Sequence, residues 1–334
     1  MQNTLHVRPY QLIYILAGIG AGRTQDIGNA RLNEILAAVR KDPFCPVTLR
    51  CNVDTMFRYQ NVGRADDTPG GEDFNDRRDL HVLQRLGLCP GDTRPAVTLF
   101  ERVIAEVDAE SVREMECEDV PGSARWFRGQ VVSVDYEKGC KLGLHAVLNW
   151  RTEEEMARVK AESAKKTLDA DHLRIRPHHL MCMSCFYGTA RNHNKPLVPI
   201  PGDNLFEAIA AIHRNPEIPI TLIPGPCDIC PPCALLHPAA NLCIGGMAMA
   251  LRDQKKDLDV LKRLDLKYGD TLPARELYRR LYAQIASTTE ICGHRTGVVT
   301  APEWGVCGGL TGDAGYVRAR EEKLGITELS LFGP

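Results

Sequence analysis

The sequence predicts a mostly helical α+β protein made of two related domains in tandem, each with several helices and a short strand. Two observations predict this class. Three blocks of sequence recur in the same order, and within each copy helical periodicity alternates with short β-branched runs. The 334 residues divide into a first copy (1–150), a connecting helix (151–172) and a second copy (173–334). We expect the two copies to pack as a pseudo-dimer.

The repeated blocks share turn and cap residues as well as apolar residues. VRPYQLIYILA (7–17) aligns with IRPHHLMCMSC (175–185), and LNEILAAVRKDPFCPVTL (32–49) aligns with LFEAIAAIHRNPEIPITL (205–222). A third pair of segments contains the same Gly-Asp-Thr-x-Pro-Ala block in both copies. Chance likeness between amphipathic helices would not preserve the turn residues, so we interpret the pattern as an internal duplication.

Each copy predicts the same series of elements. A helix comes first, with Pro9 or Pro177 in its first turn. Amphipathic helices follow over 30–41 and 203–214, and each ends at an Asp-Pro or Asn-Pro pair. The next runs, PVTLR and PITLI, predict short strands because they are β-branched. The Gly-Asp-Thr-x-Pro block then predicts a turn followed by a helix that carries proline in its first turn.

Two charged segments lie outside the repeated blocks. In the segment 151–168, Thr152 and Glu155 have capping-box spacing, which predicts an exposed connecting helix. The acidic segment 64–79 could hold a cation through its carboxylates, but it lacks the spacing of an EF-hand. We therefore interpret it as a solvated loop.

Composition excludes several classes of protein. The fractions of hydrophobic (44%) and charged (25%) residues are those of globular proteins, and the net charge of -2 disfavours nucleic-acid binding. The apolar run 12–22 is too short to span a membrane, and it aligns with an internal segment, so we expect it to belong to the fold. The 13 cysteines favour metal binding or redox chemistry in a reducing cytoplasm over a disulfide scaffold.

Cysteines with metal-ligand spacing are concentrated in the second copy. The segment PCDICPPC (226–233) places three thiols on one tight loop, as in the first three positions of a bacterial ferredoxin motif. The candidate cofactor ligands are Cys227, Cys230, Cys233, Cys243, Cys292 and Cys307. Four thiolates suit an iron–sulfur cluster or a structural zinc ion, and the spacing leaves both open.

The motif RPHHLMCMSC adds imidazoles to this set of thiols. On a helix, His178, Cys182 and Cys185 share one stripe, which could ligate a metal or line a pocket. The same stripe could equally be core, because unpaired cysteine behaves as a small hydrophobe. His178 and His179 are candidate acid–base groups. The first copy has Tyr10 in place of His178, which suggests one active copy and one degenerate copy.

The second copy resembles the family called domain of unknown function 1284, small cysteine-rich bacterial and archaeal proteins often labelled iron–sulfur binding. The opening Arg-x-His-His-Leu-x-Cys motif of that family matches residues 176–182, and its Asp-x-Cys segment matches 228–230. Its later cysteines and Glu-Trp pair correspond to Cys243, Cys292, Glu303, Trp304 and Cys307. The resemblance covers residues 173–310 and implies an iron–sulfur protein.

Three functions follow from these patterns. The first is a redox protein with an iron–sulfur cluster, [4Fe–4S] by preference, for electron transfer or for chemistry on a small molecule. The second is a zinc-stabilised binding module with no redox role. The third is a thiol-based sulfur-transfer enzyme with a cysteine of low pKa. The preferred metal ligands are Cys230, Cys243, Cys292 and Cys307, with Cys182 and Cys185 as alternatives.

These functions imply particular partners. We expect a redox partner or a small-molecule substrate, and no nucleic-acid or membrane partner. The sequence leaves open whether the protein is an enzyme, and it does not give the oligomeric state.

Overall fold

A computed structural model of the chain describes residues 4–51, 69–116, 133–245, 251–293 and 302–326. The chain divides into two units, Met1–Trp150 with Ile244–Met247, and Arg151–Cys243 with Ala248–Pro334. Helices predominate in both units, and the sheets have only two or three strands, which confirms the predicted α+β class. Among the described residues, no helix is long and apolar enough to cross a membrane.

The first unit surrounds one apolar helix with further helices and a small sheet. Its elements are β1 (Leu5–Val7), α1 (Pro9–Gly20), α2 (Ala30–Lys41), β2 (Pro46–Leu49), α3 (Pro69–Leu86), β3 (Thr93–Pro95), α4 (Ala96–Glu106), α5 (Ala109–Glu116), α6 (Ser133–Leu142) and α7 (Leu144–Leu148). Helix α1 is buried along almost its whole length, so the apolar run near the N-terminus forms the core of this unit.

The second unit has a similar order of elements, with one additional helix at its start and an additional two-stranded sheet. Its elements are α8 (Glu153–Leu168), β4 (Leu173–Ile175), α9 (His179–Asn192), α10 (Leu205–Arg214), β5 (Pro219–Leu222), β6 (Leu236–His237), β7 (Leu242–Cys243), α11 (Arg252–Leu264), β8 (Thr271–Pro273), α12 (Ala274–Gln284) and α13 (Gly309–Glu321). Two 3₁₀ turns, Thr288–Glu290 and Pro302–Cys307, lie between α12 and α13.

The sheets of the two units have the same topology and the same register. In each, the first strand runs parallel to the second, and the third runs antiparallel to the second. Leu5 pairs with Val47 as Leu173 pairs with Ile220. This likeness supports the duplication that the sequence predicts, and common descent remains a prediction.

A buried arginine–aspartate pair fixes the start of the core helix in both units. The Arg176 guanidinium donates from Nε and Nη2 to Asp257 Oδ2 at 2.9 and 2.8 Å. Arg8 binds Asp79 in the first unit in the same way, with Nε 2.5 Å from Oδ2. The second oxygen of each aspartate accepts a backbone N–H two residues beyond the arginine, so the pair holds the first turn of the helix.

A close helix crossing is the second shared feature. A Cβ atom added at Gly188 of α9 would lie 1.8 Å from the carbonyl oxygen of Gly315 in α13. A Cβ atom added at Gly20 of α1 would lie 1.8 Å from the carbonyl oxygen of Asp135 in α6. Only glycine allows backbones to approach this closely. The crossing packs α13 closely against α9 in the second unit.

The Gly-Asp-Thr-x-Pro blocks form more structure than the sequence predicts. Each block forms a short third strand before its helix, and the proline is the N-cap rather than part of the first turn. The strand is held by paired threonine hydroxyls, Thr48 to Thr93 and Thr221 to Thr271, both at 2.6 Å. Proline is tolerated here because an edge strand does not need every N–H.

Two further expectations about local structure are wrong. The acidic segment 64–79 is not a solvated loop in its described part, because residues 69–79 are helical and Asp79 is fully buried by its pairing with Arg8. Pro177 precedes the helix that it was expected to begin, since α9 starts at His179. The segment between residues 64 and 68 lies outside the described residues.

The predicted helix 151–168 is present as α8, and it packs on the second unit. The Thr152 side chain accepts the N–H of Glu155, as the capping-box spacing predicts. The Lys160 ammonium donates to the carbonyl of Asp203, to Asn204 Oδ1 and to the buried Glu207 at 2.6 to 3.1 Å. Through these bonds α8 is anchored to the start of α10, beside the loop that carries PCDICPPC.

Candidate metal centre

The candidate ligands of the second unit line one cavity of about 450 Å³. Its thiols come from α9, from the loop after β5, from β7, from the residues just after the first 3₁₀ turn and from the end of the second. The cysteines that line it are Cys182, Cys185, Cys230, Cys233, Cys243, Cys292 and Cys307. Thus five of the six predicted cofactor cysteines and both alternative ligands share one cavity, and Cys227 lies behind its wall against His179.

Four of these thiols form one group, which we call the four-thiol group: Cys182, Cys185, Cys292 and Cys307. Every pair within the group interacts electrostatically. Helix α9 presents the first two thiols one turn apart, and the third follows the turn Thr288–Glu290. The fourth ends the turn Pro302–Cys307, where the Gly308 backbone has φ of 92° and leads into α13.

Burial makes three of these thiols, those of Cys182, Cys185 and Cys292, costly to ionise on their own. It raises the pKa of Cys182 and Cys185 well above the ordinary thiol value, and neighbouring thiols raise it further. Burial also raises the pKa of Cys292 to about 11. Like charges repel in this environment, so four thiolates would require a cation among them to coexist.

A buried lysine already contributes one positive charge beside this group. Lys256 Nζ donates to Asp253 Oδ1 at 3.0 Å, and both side chains line the cavity. Burial opposes the charge on Lys256, but Asp253 and the thiols of Cys292 and Cys182 raise its pKa. A protonated lysine therefore faces the four-thiol group.

A second group of ligand atoms, which we call the loop site, consists of His179, Cys227 and Cys230. Cys227 Sγ lies 3.1 Å from His179 Nδ1 and 3.8 Å from Cys230 Sγ. All three ligand atoms lie within 4.8 Å of one another. His178, His179 and Cys182 also lie within 4.8 Å, so the loop site adjoins the four-thiol group.

The loop that carries Cys227 and Cys230 is folded by consecutive tight turns. The N–H of Cys230 bonds the carbonyl of Cys227 at 2.9 Å, and the N–H of Cys233 bonds the carbonyl of Cys230 at 2.8 Å. Between the thiols, Asp228 Oδ2 accepts the N–H of Arg174 at 2.6 Å, which ties the loop to β4. Arg151 donates to the carbonyl of Cys233 and closes the far end.

The two thiols of the loop site differ in acidity. Burial would raise the pKa of Cys227, but the thiol of Cys230 and the backbone N–H groups of residues 176 and 229 bond its sulfur and lower the pKa. The pKa of Cys230 is raised, first by its hydrogen bond to Cys227 and then by burial. Of the two thiols, Cys227 is therefore the more acidic.

His178 is held by the same aspartate that anchors Arg176. Its Nδ1 lies 2.7 Å from Asp257 Oδ1, and its Nε2 lies 3.8 Å from Asp253 Oδ1. Burial lowers the pKa of His178 to about 4, so the ring is neutral and donates from Nδ1 to Asp257. The rings of His178 and His179 meet edge to face with centroids 4.6 Å apart.

The structure separates residues that the sequence groups together. The preferred set combines Cys292 and Cys307 of the four-thiol group with Cys230 of the loop site and Cys243 on β7, and it stays a prediction. Cys233 lines the cavity beyond Cys230, and burial raises its pKa. His294 and the side chain of Glu303 lie outside the described residues, whereas Trp304 lines the cavity.

Sequence reasoning missed the charged residues Asp253 and Lys256, which line the cavity, and Asp257, which binds Arg176 and His178. A signal for two of them was present. Extending the third repeated block back by a few residues aligns Lys256 and Asp257 with Arg78 and Asp79. The buried pair Arg8–Asp79 then predicts a buried partner for Arg176.

Comparisons with protein-family models, with curated proteins and with solved structures gave no match for this chain. The chemistry of the cavity is therefore the basis for assigning a function.

Proposed function

We propose that the second unit binds an iron–sulfur cluster through the four-thiol group and acts as a redox protein. The observation that carries this proposal is that Cys182, Cys185, Cys292 and Cys307, from three separate segments, line one cavity. Four cysteine thiolates are the usual ligands of a [4Fe–4S] cluster. The expected resemblance of the second copy to a family of unknown function that is often labelled iron–sulfur binding points the same way.

The spacing of the four thiols favours a cluster over a single ion. In a tetrahedral zinc site, with Zn–S bonds of about 2.3 Å, neighbouring sulfurs lie about 3.8 Å apart. Among the described residues, no three sulfur atoms of the four-thiol group all lie within 4.8 Å of one another. A cluster of metal and sulfide ions can bind thiolates that lie further apart than the ligands of a single ion.

The protein side chains fit the needs of such a group. A cluster would supply one-electron transfer when bound. The Lys256 ammonium offsets part of the thiolate charge, and apolar side chains, among them Phe186 and Leu236, restrict water at the cavity. His178 lies on the same wall, and its Nδ1 bonds Asp257 Oδ1 at 2.7 Å. Electron transfer to a partner, or chemistry on a small molecule in the cavity, is the function that this arrangement supports.

Anaerobic purification with iron, sulfide and zinc analysis tests this proposal. We expect about four iron and four sulfide ions per chain and a broad visible absorption that bleaches with dithionite. A colourless protein that carries zinc and no sulfide would contradict the proposal and favour the zinc-stabilised binding module.

A further inference from the structure

The loop site has the geometry of a separate metal site. The 3.8 Å between Cys227 Sγ and Cys230 Sγ equals the edge of a tetrahedron with metal–sulfur bonds of about 2.3 Å. His179 Nδ1 completes a compact face of three donor atoms. No such compact set of three occurs within the four-thiol group, so the two groups suit different occupants.

We propose that His179, Cys227 and Cys230 bind a single zinc-like divalent cation, separate from the cluster site, with the fourth coordination position open to the cavity. One imidazole with two thiolates is a donor set of catalytic zinc sites, which keep one position for water or substrate. His179 and Cys230 line the cavity, whereas Cys227 lies behind them, so the fourth position faces the cavity.

The surroundings of the loop site hold its donors in place. Backbone N–H groups of residues 176 and 229 bond the sulfur of Cys227, as donors outside the ligand shell do in metal sites. Asp228 is fixed to β4, so the two cysteines that flank it cannot move apart easily. His179 begins α9, whose start is held by the buried pair of Arg176 and Asp257.

The open position selects a class of ligand. Asp203 lines the same side of the cavity and interacts electrostatically with His179, and apolar wall residues such as Leu205 surround it. Water or a small molecule with an oxygen or sulfur donor fits such a position. The site does not depend on the iron–sulfur proposal, because it shares none of the four cluster thiols.

Cobalt titration of the metal-depleted protein tests the loop site, since tetrahedral Co²⁺ with thiolate ligands has characteristic visible and charge-transfer bands. We expect one Co²⁺ per chain at this site, with affinity at least about 100-fold weaker in Cys227→Ser, Cys230→Ser and His179→Gln. The controls Cys292→Ser, in the four-thiol group, and Cys89→Ser, exposed in the first unit, should keep the bands.

Three results would overturn the loop site: no thiolate–cobalt bands in the wild type, bands that persist in His179→Gln, or equal loss in Cys292→Ser. His179→Gln keeps every thiol and a similar volume, so it decides the question even if a serine variant fails to fold. Iron and sulfide are measured in the same preparations. If the cobalt bands follow this pattern in a protein that never contains iron, the result contradicts the cluster proposal and supports the loop site.

Discussion

Three buried side chains pack beside the core helix α1 of the first unit, namely Tyr10, Tyr14 and Arg78. The Arg78 guanidinium lies 3.6 Å from the Tyr10 ring centroid and donates to Tyr14 Oη at 3.3 Å. In the second unit the aligned residues are His178, Cys182 and Lys256, and a cavity of about 450 Å³ lies there instead.

The neighbouring position shows the same contrast. In the first unit, Gln11 Oε1 accepts the N–H of Arg8 at 2.9 Å and so helps to cap its own helix. The aligned residue of the second unit, His179, turns its ring to Cys227. The sheet topology, the arginine–aspartate pair and the glycine crossing are shared. The difference teaches that two units with the same sheet topology and the same buried pair can differ in a few side chains of α9 and of the loops that face it.

Removing the shared aspartate is the strongest test of the common scaffold. We expect Asp257→Ala and Asp79→Ala each to lower the free energy of unfolding of their unit by about 3–5 kcal/mol, because a buried arginine loses its partner. Urea denaturation measures the loss. Asp259→Ala, which breaks an exposed pair with Lys255, should cost less than about 1 kcal/mol. Unchanged stability in either the Asp257 or the Asp79 variant would show that the pair does not stabilise both units in the same way.

The glycine crossing should respond in the same way in both units. Gly188→Ala and Gly20→Ala force a Cβ atom into a backbone carbonyl, and we expect a loss of about 3 kcal/mol in each. Thermal unfolding compares them with Gly202→Ala, where a Cβ atom would meet nothing within 4 Å. If only one of the two crossing variants loses stability, the units do not share this constraint.

A third test replaces one side chain that lines the cavity with its counterpart from the first unit. Cys182→Tyr gives the second unit the residue that the first unit has at this position. We expect the iron content to fall below about a tenth of the wild-type value, because a thiolate ligand is lost and its place is filled. Stability should change by less than about 1.5 kcal/mol, since the cavity admits the ring. Full iron content in this variant would remove Cys182 from the ligand set.

The paired threonines give the smallest expected effect. Thr48→Val removes one cross-strand hydroxyl bond and should cost about 0.5 kcal/mol. Thr221→Val should cost more, because His172 Nε2 also bonds that hydroxyl at 2.7 Å. Calorimetric unfolding of both variants measures the difference, and equal costs would show that the histidine bond contributes nothing.

Much of the architecture could be predicted because its signals are local. The helices over 30–41 and 205–214 end at proline pairs, and the β-branched runs beside them are strands. The strands Leu5–Val7 and Leu173–Ile175 were missed because three residues give no periodicity. Helix α3 was missed in its acidic part because its buried charge depends on Arg8, a partner far away in the sequence.

The candidate site was only partly predictable for the same reason. Spacing identified the thiols of the PCDICPPC loop and the histidines, because their ligand chemistry shows in short motifs. It could not show that Cys182 and Cys185 of α9 interact with Cys292, since these residues are far apart in the sequence and meet only in the folded chain. Nor did spacing show Lys256 facing these thiols, because only the alignment of Lys256 with the buried Arg78 of the first copy indicates that this lysine is buried.

Iron and sulfide analysis of two single-cysteine variants tests the central claim most directly, namely that the four-thiol group of the second unit holds the cluster. Under anaerobic conditions, Cys89→Ser in the first unit should keep about four iron and four sulfide ions per chain, as in the wild type. Cys292→Ser in the four-thiol group should lose most of both and the visible absorption. Equal iron and sulfide in the two variants would contradict the assignment of the cluster to these thiols.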